Sequence, residues 1–126
     1  MQVGEITTWE RTFTADDVRL FAQVSGDEGI HHMQPDEQGR LMVHGLLTAT
    51  IPTKLGGDIN YIAREMRFEF IRPVFVGDTI HCELVVTDME VLPGRVKLAS
   101  DFVSRNQYGK EVLKGSFQGV IRTPEL

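Results

Sequence analysis

The residues best suited to chemistry fall in one short stretch, SGDEGIHH, at positions 25–32. It holds Asp27 and Glu28, then the adjacent histidines His31 and His32, which are half of the four histidines in the chain. A carboxylate and an imidazole in reach of one molecule can divide a proton transfer between them. Imidazole as a class exchanges protons near neutral pH, so it can serve as acid or as base. Gly26 and Gly29 break the stretch, which therefore reads as loop. Loops are common carriers of groups that must meet a substrate held by other elements. Plainer readings compete: Asp27 could cap a turn after a helix, and both histidines could be solvated. Asp27, His31, His32 and His44 are also proper metal-ligand types. Their spacing matches no metal motif, so no metal is expected.

The loop needs elements to position it. Ahead of it, VGEITTWERTFT mixes β-branched and aromatic residues and predicts a first strand. Thr14 with Asp17 three positions on forms a capping-box pattern. Val18, Phe21 and Ala22 then recur at helical spacing, and Gly26 suits the position just past the helix end. After the loop, LMVHGLLTATIPTKLGG is apolar on nearly every side and predicts a buried helix. Pro52 within it predicts a kink or a helix shorter than the apolar run.

Four strands follow. In REMRFEFIRPVF, Met66, Phe68 and Phe70 alternate with Arg67 and Glu69, and Gly77-Asp78 signals a turn. TIHCELVVTDMEVL places Ile80, Cys82, Leu84 and Val86 on one face and His81 on the other. Cys82 thus reads as a small core residue. Pro93-Gly94 and the NQYGK segment separate the last strands as hairpin turns. Gly115 and Gly119 share one face of the final strand, where close backbone packing is the ordinary reading. Helices segregated from an antiparallel sheet give an α+β class, and a single very apolar helix suggests a sheet curled around it.

Composition narrows the function classes. The chain has 126 residues, enough for one domain over positions 1–126. With 41% hydrophobic and 25% charged residues it is globular. A net charge of −5 with no basic cluster argues against nucleic-acid binding. No apolar run is long enough for a membrane helix. A lone cysteine excludes a disulfide within the chain, and a cytoplasmic location is expected.

Four stretches in order, FTADDVRLFAQVSGD, MVHGLL, MRFEFIRPVFVGDTI and GKEVLKGSFQGVI, carry a resemblance that spans nearly the whole chain. The chain resembles the MaoC-like, (R)-specific enoyl-CoA hydratase branch of the hot-dog fold superfamily. That resemblance implies a sheet wrapped around one long buried helix, and water addition to a trans-2-enoyl thioester or its reverse. The substrate carrier would be coenzyme A or an acyl carrier protein. No cofactor would be needed, and the assembly would be a homodimer or higher homo-oligomer. The family's catalytic loop reads aspartate, any residue, asparagine, proline, any residue, histidine. Here the spacing from Asp27 to His32 is kept, while Gly29-Ile30 replaces asparagine-proline. The acid–base roles therefore carry onto Asp27 and His32, with His31 as the alternative histidine.

The backbone N–H of Gly45, in the histidine-glycine step, carries over as donor to the thioester oxyanion. Free amides at a helix start suit that role, and glycine permits close approach. Arg64, Arg67 and Arg72 could meet coenzyme A phosphates, although solvated strand charges are commoner. Two alternatives stand beside this reading. An acyl-CoA thioesterase of the same fold commonly carries a carboxylate on the central helix, whereas GLLTATIPTK has none. A non-catalytic acyl-thioester-binding subunit would fit the missing asparagine-proline step.

Overall fold

The computed structural model describes residues 1–123. Strand β1 (Ile6–Thr12) leads into helix α1 (Ala15–Ser25). The capping box at its start is complete: Asp17 N–H donates to Thr14 Oγ1 at 3.2 Å, and Thr14 N–H donates to Asp17 Oδ2 at 2.9 Å. That second bond is the main reason the Asp17 carboxyl lies below its ordinary value of 3.8. Val18 and Ala22 bury the inner face of α1, and Gly26 ends it at a φ of 75°, the left-handed geometry that glycine adopts without strain.

The loop of positions 25–32 is not wholly irregular. One turn of helix, α2 (Ile30–Met33), begins directly after Gly29. Residues 41–43 then run extended beside residues 74–76, through Val43 N–H to Val74 O and Val76 N–H to Leu41 O, both 2.8 Å. The central apolar run becomes helical only at Gly45. It forms two pieces, α3 (Gly45–Thr48) and α4 (Thr50–Gly57), broken at Ala49. The expected single long helix is thus interrupted where Pro52 makes it so. Proline has no N–H to give the Thr48 carbonyl, and it sits instead in the first turn of α4, where that loss is tolerated.

Strands β2 (Ile62–Phe70), β3 (Thr79–Leu92), β4 (Arg95–Arg105) and β5 (Glu111–Arg122) complete a five-stranded antiparallel sheet in the order β1-β3-β4-β5-β2. This is the α+β hot-dog arrangement expected from the sequence. Leu47, Ile51 and Leu55 of α3 and α4 pack on Ile80, Cys82, Leu84, Phe102, Leu113 and Phe117 of the sheet. Cys82 is fully buried, and burial raises its thiol pKa. His81 faces outward near Glu10 and Glu83, as alternation predicts.

The two glycines of β5 have a packing reason. Gly115 pairs with Phe68 of β2 and Phe102 of β4. A Cβ there would overlap the Arg67 carbonyl and stand 2.8 Å from the Phe102 ring; at Gly119 it would overlap the Ile62 carbonyl. Gly115→Ala should therefore destabilise the fold by about 1–3 kcal/mol or more through overpacking. The midpoint of denaturant unfolding measures this, and an unchanged midpoint would contradict the packing account.

Candidate active site

His32 is 6% exposed, whereas His31 beside it is exposed. The two rings nevertheless touch, with centroids 4.0 Å apart and planes tilted by 53°. His32 Nδ1 lies 2.8 Å from the Met42 carbonyl. A carbonyl only accepts, so Nδ1 carries the hydrogen, and in the neutral ring Nε2 keeps a lone pair. That Nε2 stands 3.9 Å from Asp27 Oδ2. The separation is too long for a direct hydrogen bond. Both facing atoms are acceptors, so the small molecule that satisfies them together is one with two O–H donors.

Asp27 is held from its own backbone. Its N–H donates to Ser25 Oγ at 3.0 Å, and its Oδ1 accepts from Gly29 N–H at 3.1 Å. That Gly29 bond is the chief cause of an Asp27 pKa below the ordinary 3.8, partly opposed by desolvation; His32, His44 and His31 lower it further. Asp27 is therefore a carboxylate at neutral pH, although its side chain is 55% exposed.

A cleft of about 270 Å³ opens against this pair. His31, His32, Met42, Gly45, Thr48 and Phe70 are among its walls. Asp27 lies outside that lining and reaches His32 from the loop side. Gly45 begins α3, and no acceptor takes its N–H among the described residues. The space a Cβ would fill at Gly45 is occupied by the Phe70 ring, whose Cε1 would be 2.8 Å away. The glycine thus serves aromatic packing in the cleft wall. Sequence alternation put Phe70 on a strand face with Met66 and Phe68 and gave no sign of this contact.

Behind His32 stands His44, stacked on it at 3.8 Å with planes 18° apart. Its Nε2 meets the Asp27 carbonyl at 2.9 Å. Asp27, His32 and His44 offer ligand atoms within 4.8 Å of one another. The near-parallel stacked rings direct their nitrogen lone pairs alongside each other instead of onto one point, and the Met42 and Asp27 carbonyls engage one nitrogen of each ring. This donor set is a poor fit to a metal ion. Arg67 pairs with Glu65 on the strand surface, and Arg72, on the cleft rim, donates to the Glu111 carbonyl at 2.7 Å.

The family model described as MaoC like domain matches residues 4–104, and the chain belongs to that family. Its structure is similar to an (R)-hydratase from A. caviae involved in PHA biosynthesis, with a TM-score of 0.83 and 26% identity over 98% of each chain. It is also similar to the unliganded R-hydratase PhaJ1 from Pseudomonas aeruginosa, with a TM-score of 0.78 and 25% identity over 100% of this chain and 90% of that one. A curated relative, the mitochondrial 3-hydroxyacyl-[acyl-carrier-protein] dehydratase of Arabidopsis thaliana, is 27% identical over 90 residues. That match takes in 64% of this chain and only about half, 52%, of the relative.

At Gly29-Ile30, where the sequence departs from the family loop, the backbone would accept a proline. Ile30 is the first residue of α2, a position that favours proline, and Gly29 has φ −52° and ψ 140°, which a following proline accepts. No hydrogen bond of the Ile30 N–H is present among the described residues. Ile30→Pro should accordingly raise stability by about 0.4–1 kcal/mol by restricting the unfolded chain. Thermal or denaturant unfolding checks this, and destabilisation would mean the loop differs from that described.

Proposed function

We propose that the chain is a hydratase or dehydratase of acyl thioesters. It adds water to a trans-2-enoyl-CoA to give a 3-hydroxyacyl-CoA, or runs the reverse elimination. The observation that carries the reading is the facing pair, Asp27 carboxylate and His32 Nε2, 3.9 Å apart beside the cleft that Gly45 lines. Water suits the gap because its two hydrogens satisfy both acceptors at once. As the water oxygen bonds to the β carbon, the pair takes one of its protons. The electrons of the double bond move onto the thioester oxygen, where the Gly45 N–H stabilises the enolate. The held proton then returns to the α carbon, so one water is added and no redox or metal chemistry is needed. Elimination follows the same steps backwards.

The thioesterase alternative lacks a carboxylate on the central helices, since residues 45–57 contain neither aspartate nor glutamate. A binding subunit without catalysis would show no turnover under any of the conditions below. For assembly, β2 is an edge strand whose Ile62, Met66 and Phe70 remain 44–53% exposed. Such an edge suits pairing with a second copy as a homodimer. Light scattering at micromolar concentration should give twice the chain mass; a monomer would oppose this. No helix among the described residues is long and apolar enough to cross a membrane.

Purified protein should consume the conjugated absorbance of crotonyl-CoA. Asp27→Asn should lower turnover by roughly two to four orders of magnitude, with little change in stability. His32→Ala should abolish hydration in a folded protein, and His31→Ala should keep most of it. The reverse histidine pattern would move the role to His31. Full activity in both single mutants would remove the acid–base role from this loop.

A further inference from the structure

We propose that His44 is a positioning residue, which holds Asp27 and His32 in register with the first amide of α3; this rests on the acid–base reading given above. His44 is 1% exposed, and its Nε2 lies 2.9 Å from the backbone carbonyl of Asp27. Since that oxygen can only accept, Nε2 bears the hydrogen and donates it. Nδ1 is buried with no hydrogen-bond partner among the described residues. Burying such a nitrogen unpaired costs stability, and an apolar ring of similar size would fill the space without that cost. Packing alone therefore does not account for an imidazole at position 44. Its single donated bond, across 17 residues of sequence, does.

The same ring has a second contact that bears on the site. One face lies on His32 at 3.8 Å, and Phe21 of α1 packs against His44 at 4.9 Å. His32 is thus fixed in its plane by the stack and in its rotation by the Met42 carbonyl. His44 is also the residue immediately before Gly45, and its own carbonyl accepts the Thr48 N–H in the first turn of α3. One residue consequently touches all three parts: the Asp27 loop by hydrogen bond, His32 by stacking, and Gly45 by covalent continuity. A shift of about 1 Å in such a constellation can cost on the order of a hundredfold in rate without weakening substrate binding.

Two substitutions separate the hydrogen bond from the packing. His44→Phe keeps an aromatic ring but cannot donate; His44→Gln presents an N–H close to the place of Nε2. With crotonyl-CoA, His44→Phe should lower kcat about 10- to 100-fold while KM stays within about threefold. His44→Gln should recover kcat to within about threefold of the unaltered protein. Nitrogen-15 imidazole spectra of the unaltered protein should show His44 with hydrogen on Nε2 and none on Nδ1. Equal impairment in both variants, unchanged kcat in His44→Phe, or hydrogen on Nδ1 alone would overturn the proposal. The spectra need neither a variant nor turnover. They therefore test the tie to Asp27 even if the unaltered protein fails to hydrate the thioester, a failure that would count against the acid–base reading instead.

Discussion

Ile51 is wholly excluded from water between α4 and the sheet, and Leu47 and Leu55 lie one turn to either side of it on the same face. Burying each such side chain contributes about 1.5–3 kcal/mol relative to exposure. The strip they form sets the position of α3 and α4 against the strands, and every functional distance follows from it. Because α3 is pinned along this strip, its first residue, Gly45, must emerge at the cleft. Because the cleft lies there, the loop after α1 has something to close against. The ion pairs at the surface, such as Lys54 with Asp58 and Arg40 with Asp36, are exposed and contribute little by comparison.

The loop that bears Asp27 and His32 gains its order from neighbouring elements. His32 is anchored to the Met42 carbonyl, Met42 N–H in turn donates to the His31 carbonyl at 3.2 Å, and Met42 bridges to Phe75. The residues on either side of Met42 are hydrogen-bonded to residues 74 and 76 just ahead of β3. A chain of backbone bonds therefore runs from the sheet to the imidazole. Asp27 has local bonds to Ser25 and Gly29 through its N–H and its carboxylate, while its backbone carbonyl accepts from His44 Nε2 at 2.9 Å. The pair thus combines a buried imidazole with an exposed carboxylate.

Much of this was legible in the sequence. The capping box at Thr14, the Gly26 helix end and the alternation of Ile80, Cys82, Leu84 and Val86 are local patterns, and local geometry decides them. The five-residue spacing that brings Asp27 towards His32 was legible only through family resemblance. What escaped is nonlocal or too short. Helix α2 is a single turn, below the length at which propensity says anything. The break at Ala49 follows from Pro52, but its position depends on which carbonyl can be left unpaired. Phe70 reaches Gly45 across the fold, and alternation gives a strand residue's face without naming what it touches. His44 binds a backbone carbonyl, and a backbone acceptor has no residue type for a sequence pattern to reveal.

The burial of Cys82 has a practical side. The chain has one thiol, fully enclosed near the start of β3, and burial disfavours its thiolate, with Ser104 only partly offsetting that. A labelling reagent needs both access and the thiolate. Neither is offered until the core between the sheet and the helices opens, since Cys82 lies there in one apolar cluster with Val18, Leu47 and Ile51. The native thiol is accordingly a clock for global opening: its rate of labelling follows the rare excursions of the core and is indifferent to motion of the loop around Asp27.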